Sequence, residues 1–241
     1  VDLLFAAVAM TASALVGGAT GFAASLLSTP ALLLLGYDVP VVVTVNLAAT
    51  LLSRCVVVWR SWREIEPKRV GLLVVGSAPG AVLGALTAGA IPAHVLRVSA
   101  GVLVTLLGLL LFLPAKNERT AGPGRPMHVF TGLFSGYLAT SVSLNGPPVA
   151  ALLGRVHLPV RTFIANLACY FLTTNSISLV TLTVTGAIPG HGLLPVLPLL
   201  VVAAIVGNQL GTMVSSLIPR KAFTRVVAAL ILISGLTTAL T

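Results

Sequence analysis

Gly80-Ala81-Val82-Leu83-Gly84, followed by Ile91-Pro92 and Gly108, returns 127 residues later as Gly207-Asn208-Gln209-Leu210-Gly211, Ile218-Pro219 and Gly235. Moving outward, the match loosens but keeps its order: Gly21, Pro30, Gly36, Pro40 and Asn46 find counterparts in Gly136, Pro148, Gly154, Pro159 and Asn166. An internal duplication in so apolar a chain is the mark of a secondary transporter, whose substrate site lies between the repeats. Small residues four apart let helix backbones approach closely in lipid. The Gly-x3-Gly pairs are therefore expected to hold the scaffold, not to touch substrate.

The chain has 241 residues, 57% of them hydrophobic and only 8% charged. Soluble domains carry roughly 25% charge, so this composition leaves too few polar groups to cover a water-facing surface. Its apolar runs are long enough to enter or cross a bilayer. Val70 to Val75 and Val102 to Leu113 lack the alternation of a membrane β-barrel. The expected class is an all-α polytopic membrane protein. The net charge of +9 does not indicate nucleic acid, because the basic residues sit in short loops between apolar runs. Cys55 and Cys169 both fall within apolar runs, where they are read as buried packing residues.

Ten apolar segments can be drawn, five per half. They run over 3–25, 29–36, 40–59, 70–90 and 93–113, then over 127–144, 147–154, 159–185, 193–217 and 222–240. This divides the chain into an N-terminal repeat (1–114), a cytoplasmic linker (115–126) and a C-terminal repeat (127–241). The second segment of each half is too short to cross. Each follows a polar break, Ser25-Leu26-Leu27-Ser28-Thr29-Pro30 in one half and Thr140-Ser141-Val142-Ser143-Leu144-Asn145-Gly146-Pro147-Pro148 in the other. Segments one and two of each half thus read as a broken, re-entrant helical hairpin, tolerated at membrane depth only where the backbone is buried or lines a cavity. The short helices are expected to begin near Thr29 and Gly146, with Pro30 and Pro147 in their first turns.

Twelve of the fourteen Lys and Arg fall in four clusters: Arg60, Arg63, Lys68 and Arg69; Lys116, Arg119 and Arg125; Arg155 and Arg161; Arg220, Lys221 and Arg225. Placing all four in the cytoplasm puts both termini outside and makes the two repeats inverted in topology. Arg97 is left near the external face as an interface anchor.

A half-helix that starts inside the membrane points unsatisfied N–H groups and about half a positive charge at whatever precedes it, a ready anion site. Ser25, Ser28, Thr29, Thr140, Ser141, Ser143, Asn145 and Gly146 surround the two starts as candidate substrate-binding residues. The alternative role for their polar groups is to satisfy the broken backbone. Asn46 and Asn166, matched in segment three, face substrate or brace the neighbouring hairpin. Thr173, Thr174 and Asn175 form a weaker group. Arg54 is the one charge placed within a membrane helix and is a functional candidate by default. It attracts the anion, snorkels toward the cytoplasm or pairs structurally with a neighbouring group. No Asp or Glu falls within an expected span, which argues against a carboxylate proton relay. Metal-ligand, nucleotide-loop and Ser-His-Asp patterns are missing, so no metal, cofactor or enzymatic activity is expected.

In order and spacing, Gly21 to Asn46 and Gly80 to Pro92, echoed at Gly136 to Asn166 and Gly207 to Pro219, resemble the TauE/SafE sulfite exporters over nearly the whole chain. Members often carry consecutive glycines at the first break, where this chain has Ser25, Ser28 and Thr29. The resemblance implies export of sulfite, sulfoacetate, other organosulfonates or related small anions across the plasma (inner) membrane. The expected partners are a small anion and the bilayer, and a homodimer is left open. Alternating access driven by the membrane potential suffices for such export, since expelling one negative charge gains roughly 2.3 kcal/mol per 100 mV. The alternatives are an anion channel, an importer of small carboxylates or amino acids on the same fold, and a membrane scaffold.

Overall fold

The structure, a computed structural model, describes residues 3–88, 124–156, 158–188 and 195–215, with isolated positions between 90 and 109 and between 225 and 236. The fifth and tenth apolar segments, Arg97, Gly108, Ile218-Pro219 and Gly235 lie outside the described stretches. In chain order the helices are α1 (Leu3–Thr20), α2 (Ala24–Leu34), α3 (Val39–Ser61), α4 (Pro67–Ala88), α5 (Arg125–Val142), α6 (Gly146–Gly154), α7 (Val160–Val184) and α8 (Leu197–Ser215). A single 3-10 turn at Trp62–Glu64 joins α3 to α4, and there is no strand among the described residues. Among the described residues five helices are long and apolar enough to cross a membrane: α1, α3, α4, α7 and α8. The chain is a multi-pass membrane protein.

Two long helices, α3 and α7, pack against each other at the centre. On one side α3 meets α8, which lies along α1. On the other, α7 meets α4, which lies along α5. Short α2 leans on α1 and α3, and short α6 on α5 and α7.

Glycine makes the two outer pairs possible. A Cβ at Gly76 or Gly80 would fall on the carbonyl oxygens of Val129 and Leu133 in α5, and one at Gly132 or Gly136 on those of Leu73 and Ser77 in α4. In the other pair, Gly207 and Gly211 press on the backbone of Thr11 and Leu15, and Gly18 on that of Asn208. No larger residue permits this approach, and close packing is what drives helix association where lipid removes the hydrophobic effect.

The first break differs from its expected place. The backbone leaves the helix at Gly21, Phe22 and Ala23, and α2 already begins at Ala24. Gly21, at φ +90°, takes the left-handed conformation that turns the chain. Pro30 therefore sits inside α2, not in its first turn, and Ser25, Ser28 and Thr29 are helical. Interior proline in a membrane protein is tolerated when neighbours re-satisfy the freed backbone. The second short helix begins at Gly146, with Pro at its first positions. Cys55, read as buried, is exposed, while Cys169 is partly buried.

Candidate functional site

The two breaks meet. Gly146, opening α6, packs on Phe22 of the first break so closely that a Cβ there would lie 3.0 Å from the Phe22 carbonyl oxygen. The second break is closed by Ser143 in the left-handed region at φ 61°, which lets the Leu144 N–H reach back to the Leu138 carbonyl at 3.1 Å. The bond spans six residues, one more than a Schellman closure, and serine takes the left-handed place where glycine is usual.

Polar side chains gather around these breaks in buried, mutually bonded sets. Asn46 of α3 accepts from Ser28 Oγ at 2.7 Å and donates to Thr29 Oγ1 at 3.0 Å, so it braces α2. Asn145 Nδ2 donates to Asn175 Oδ1 at 2.8 Å, and Asn175 Nδ2 donates to the Leu47 carbonyl at 3.4 Å. A polar chain thus runs from the start of α6, through α7, to α3 one residue beyond Asn46. Beneath the second break, Tyr170 donates to Ser135 Oγ at 2.7 Å, and Ser135 donates to the Asn145 carbonyl. Ser77 and Thr174 share a hydrogen bond at 2.9 Å.

Arg54 lies apart from this layer, eight residues beyond Asn46, or ~12 Å along the helix. It does not snorkel. Its side chain is 1% exposed, and Nη2 donates to the Gly17 carbonyl at 3.1 Å, one turn before the first break. The Phe171 ring is 5.9 Å from the guanidinium carbon. Nε and Nη1 are buried with no hydrogen-bond partner. The buried polar residues described include no Asp or Glu. Arg54 is thus a buried cation without a counter-ion among the described residues. Next to it along α3, the Ser53 carbonyl accepts from Asn208 Nδ2 at 3.2 Å, leaving Asn208 Oδ1 unpartnered.

The sequence-derived candidates divide accordingly. Ser28, Thr29 and Asn46 form one set, and Ser143, Asn145 and Gly146 form another, joined to it through Asn175. Ser25 is buried one residue into α2. Three candidates are engaged elsewhere. Thr140 donates to the Ala81 carbonyl of α4 at 2.9 Å, and Ser141 to Tyr137 in its own helix at 2.7 Å. Asn166 accepts the Glu66 N–H at 2.7 Å, tying down the α3–α4 connection. Sequence reasoning passed over Ser77, Ser135, Tyr170, Asn208 and Gly17. The readable signal was a polar residue within an apolar run, clearest for Asn208 inside the Gly-x3-Gly motif.

A long-helix bundle with two short helices opening from touching breaks, and a buried arginine whose fork is only partly hydrogen-bonded, fits a membrane transporter. The sulfite exporter TauE/SafE family model matches residues 5–238, and the chain belongs to that family. It is 27% identical over 180 residues to the probable inner membrane transporter protein TsaS of Comamonas testosteroni, covering 73% of each chain. No solved structure matches it.

Proposed function

We propose that the chain exports small oxyanions of the sulfite, sulfoacetate or organosulfonate class across the inner membrane by alternating access. The observation that carries this reading is Arg54. An ion withdrawn from water costs several kcal/mol even after relaxation, unless a counter-charge and hydrogen bonds offset it. Gly17 supplies one acceptor, and two nitrogens of the fork have none. A planar guanidinium suits bidentate pairing with carboxylate- or phosphate-like oxygens, and an arriving oxyanion supplies what Arg54 lacks. No resident cofactor and no catalytic step is part of this reading.

The helix pairings support two repeats, 1–114 and 127–241 joined by 115–126, of inverted topology. Exchanging each helix for its counterpart turns α1–α8 into α5–α4, and α3–α8 into α7–α4. The basic clusters then face the cytoplasm and both termini face outward. At the end of the bundle holding Val43, Leu47, Ala139 and Leu182, these side chains form a buried apolar cluster, fitting a state closed on that side. The protein's partners are the anion and the lipid, and a homodimer is compatible with the exposed apolar faces.

The test is sulfite and sulfoacetate flux in proteoliposomes under an imposed potential. Saturable flux that grows with inside-negative potential supports potential-driven export. Non-saturating conductance favours a channel, and flux indifferent to the potential overturns the uniport mechanism.

A further inference from the structure

Among the described residues, the end of the bundle opposite the apolar cluster carries a cleft. Between the last turn of α3, the first turn of α7 and the last turn of α8 lies a cleft of about 280 Å³. Its walls carry Arg60, Arg161, Glu64 and Gln209, and Val57 and Ile164 also line it. Two arginines against one glutamate leave a net positive mouth. Glu64, in the same cleft, offsets only part of that charge. Gln209 Nε2 is buried there with no partner. Val57 lies one turn from Arg54 on the same helix, ~4.5 Å of rise. Ile164 stands against the first break, in van der Waals reach of a Cβ at Gly21.

We propose that this cleft is the capture site of the transported anion: Arg60, Arg161 and the Gln209 amide collect it in front of a Val57–Ile164 constriction, behind which Arg54 waits. The inference rests on the anion reading of Arg54 and adds a second, outer site and a side of loading. The duplication supplies an independent reason. Counterparts of Arg60 and Arg161 at the other end are Val180 and Val41, and that of Gln209 is Val82. These three polar positions are not repeated at the other end; they stand at the end assigned to the cytoplasm, where an exporter must load. Charges lining a low-dielectric cleft concentrate counter-ions and raise on-rates by roughly tenfold or more.

The experiment uses the full chain with Cys55 and Cys169 replaced by alanine. Ser61→Cys, on the cleft wall, is expected to react faster with an anionic sulfonatoethyl methanethiosulfonate than with its cationic trimethylammonium analogue. Arg60→Gln with Arg161→Gln should abolish that preference, and the two lysine variants should restore it. In proteoliposomes the glutamine pair should raise the KM for sulfite from the Arg60 side about tenfold with kcat kept. Val57→Cys should be shielded from the anionic reagent by sulfoacetate, and its modification should block flux. Equal reactivity of the two reagents at Ser61→Cys overturns the capture site even if Arg54 variants lose sulfite transport. A wild-type KM in the glutamine pair does the same. Charge-selective labelling without sulfite flux or sulfoacetate protection in any variant instead overturns the anion reading, and the inference with it.

Discussion

Arg54 donates to the Gly17 carbonyl oxygen at 3.1 Å, and that same oxygen already accepts the Gly21 N–H at 2.7 Å. The acceptor therefore stays satisfied if the guanidinium is removed. Arg54→Met should leave the thermal midpoint of the detergent-solubilised protein unchanged or raise it, because replacing buried charge by an apolar side chain of similar length is often stabilising. The same variant should lose the stabilisation that sulfite gives the wild type. A large fall in midpoint without any change in the sulfite effect would make Arg54 a structural residue.

Glycines on one helix should differ sharply in what they tolerate. A Cβ at Gly80 falls on the α5 backbone, whereas a Cβ at Gly71, also in α4, meets nothing within 4 Å. Gly80→Ala should cost about 1–3 kcal/mol through overpacking. Gly71→Ala should be neutral or stabilise by up to about 1 kcal/mol from helix propensity. Thermal unfolding of the two variants side by side makes the comparison.

Ser143 holds a left-handed backbone that costs an L-residue roughly 1–2 kcal/mol. Ser143→Gly should recover about 1 kcal/mol of stability, and Ser143→Val should lose at least as much, since branching at Cβ worsens the same clash. Denaturation midpoints that rank valine above glycine would mean the break relaxes to another conformation.

Asn145 and Asn175 should be energetically coupled. Either single alanine variant strands the partner amide in a buried layer, and the double variant strands neither. A double-mutant cycle is expected to give a coupling of about 0.5–2 kcal/mol. A value of zero would show that the second break does not depend on α7 for its position.

The outlines of the fold were legible in the sequence because they rest on backbone chemistry. Gly80, Gly84, Gly207 and Gly211 announced two close-packed helices, and Pro147-Pro148 after Asn145-Gly146 announced where α6 starts. The first break was misread because Pro30 drew attention to a position that the surrounding contacts keep helical. The turn is made instead by Gly21, whose left-handed dihedral no side-chain pattern reveals. The site was legible only in part. Arg54 stood out as an intramembrane charge, but whether it turns inward depends on Gly17 and Phe171, which are distant in sequence. Asn46 and Asn166 looked equivalent, yet one braces a hairpin and the other binds Glu66 in a connecting loop, a difference set by what each meets in space.

The glycine-lined contacts join α1 to α8 and α5 to α4, so each seam stitches an early helix of one half to a late helix of the other. Among the described helices, both glycine seams run between the halves. A chain severed in the connection between residues 114 and 125 would present two fragments with raw, complementary grooves, each competent only in the other's company.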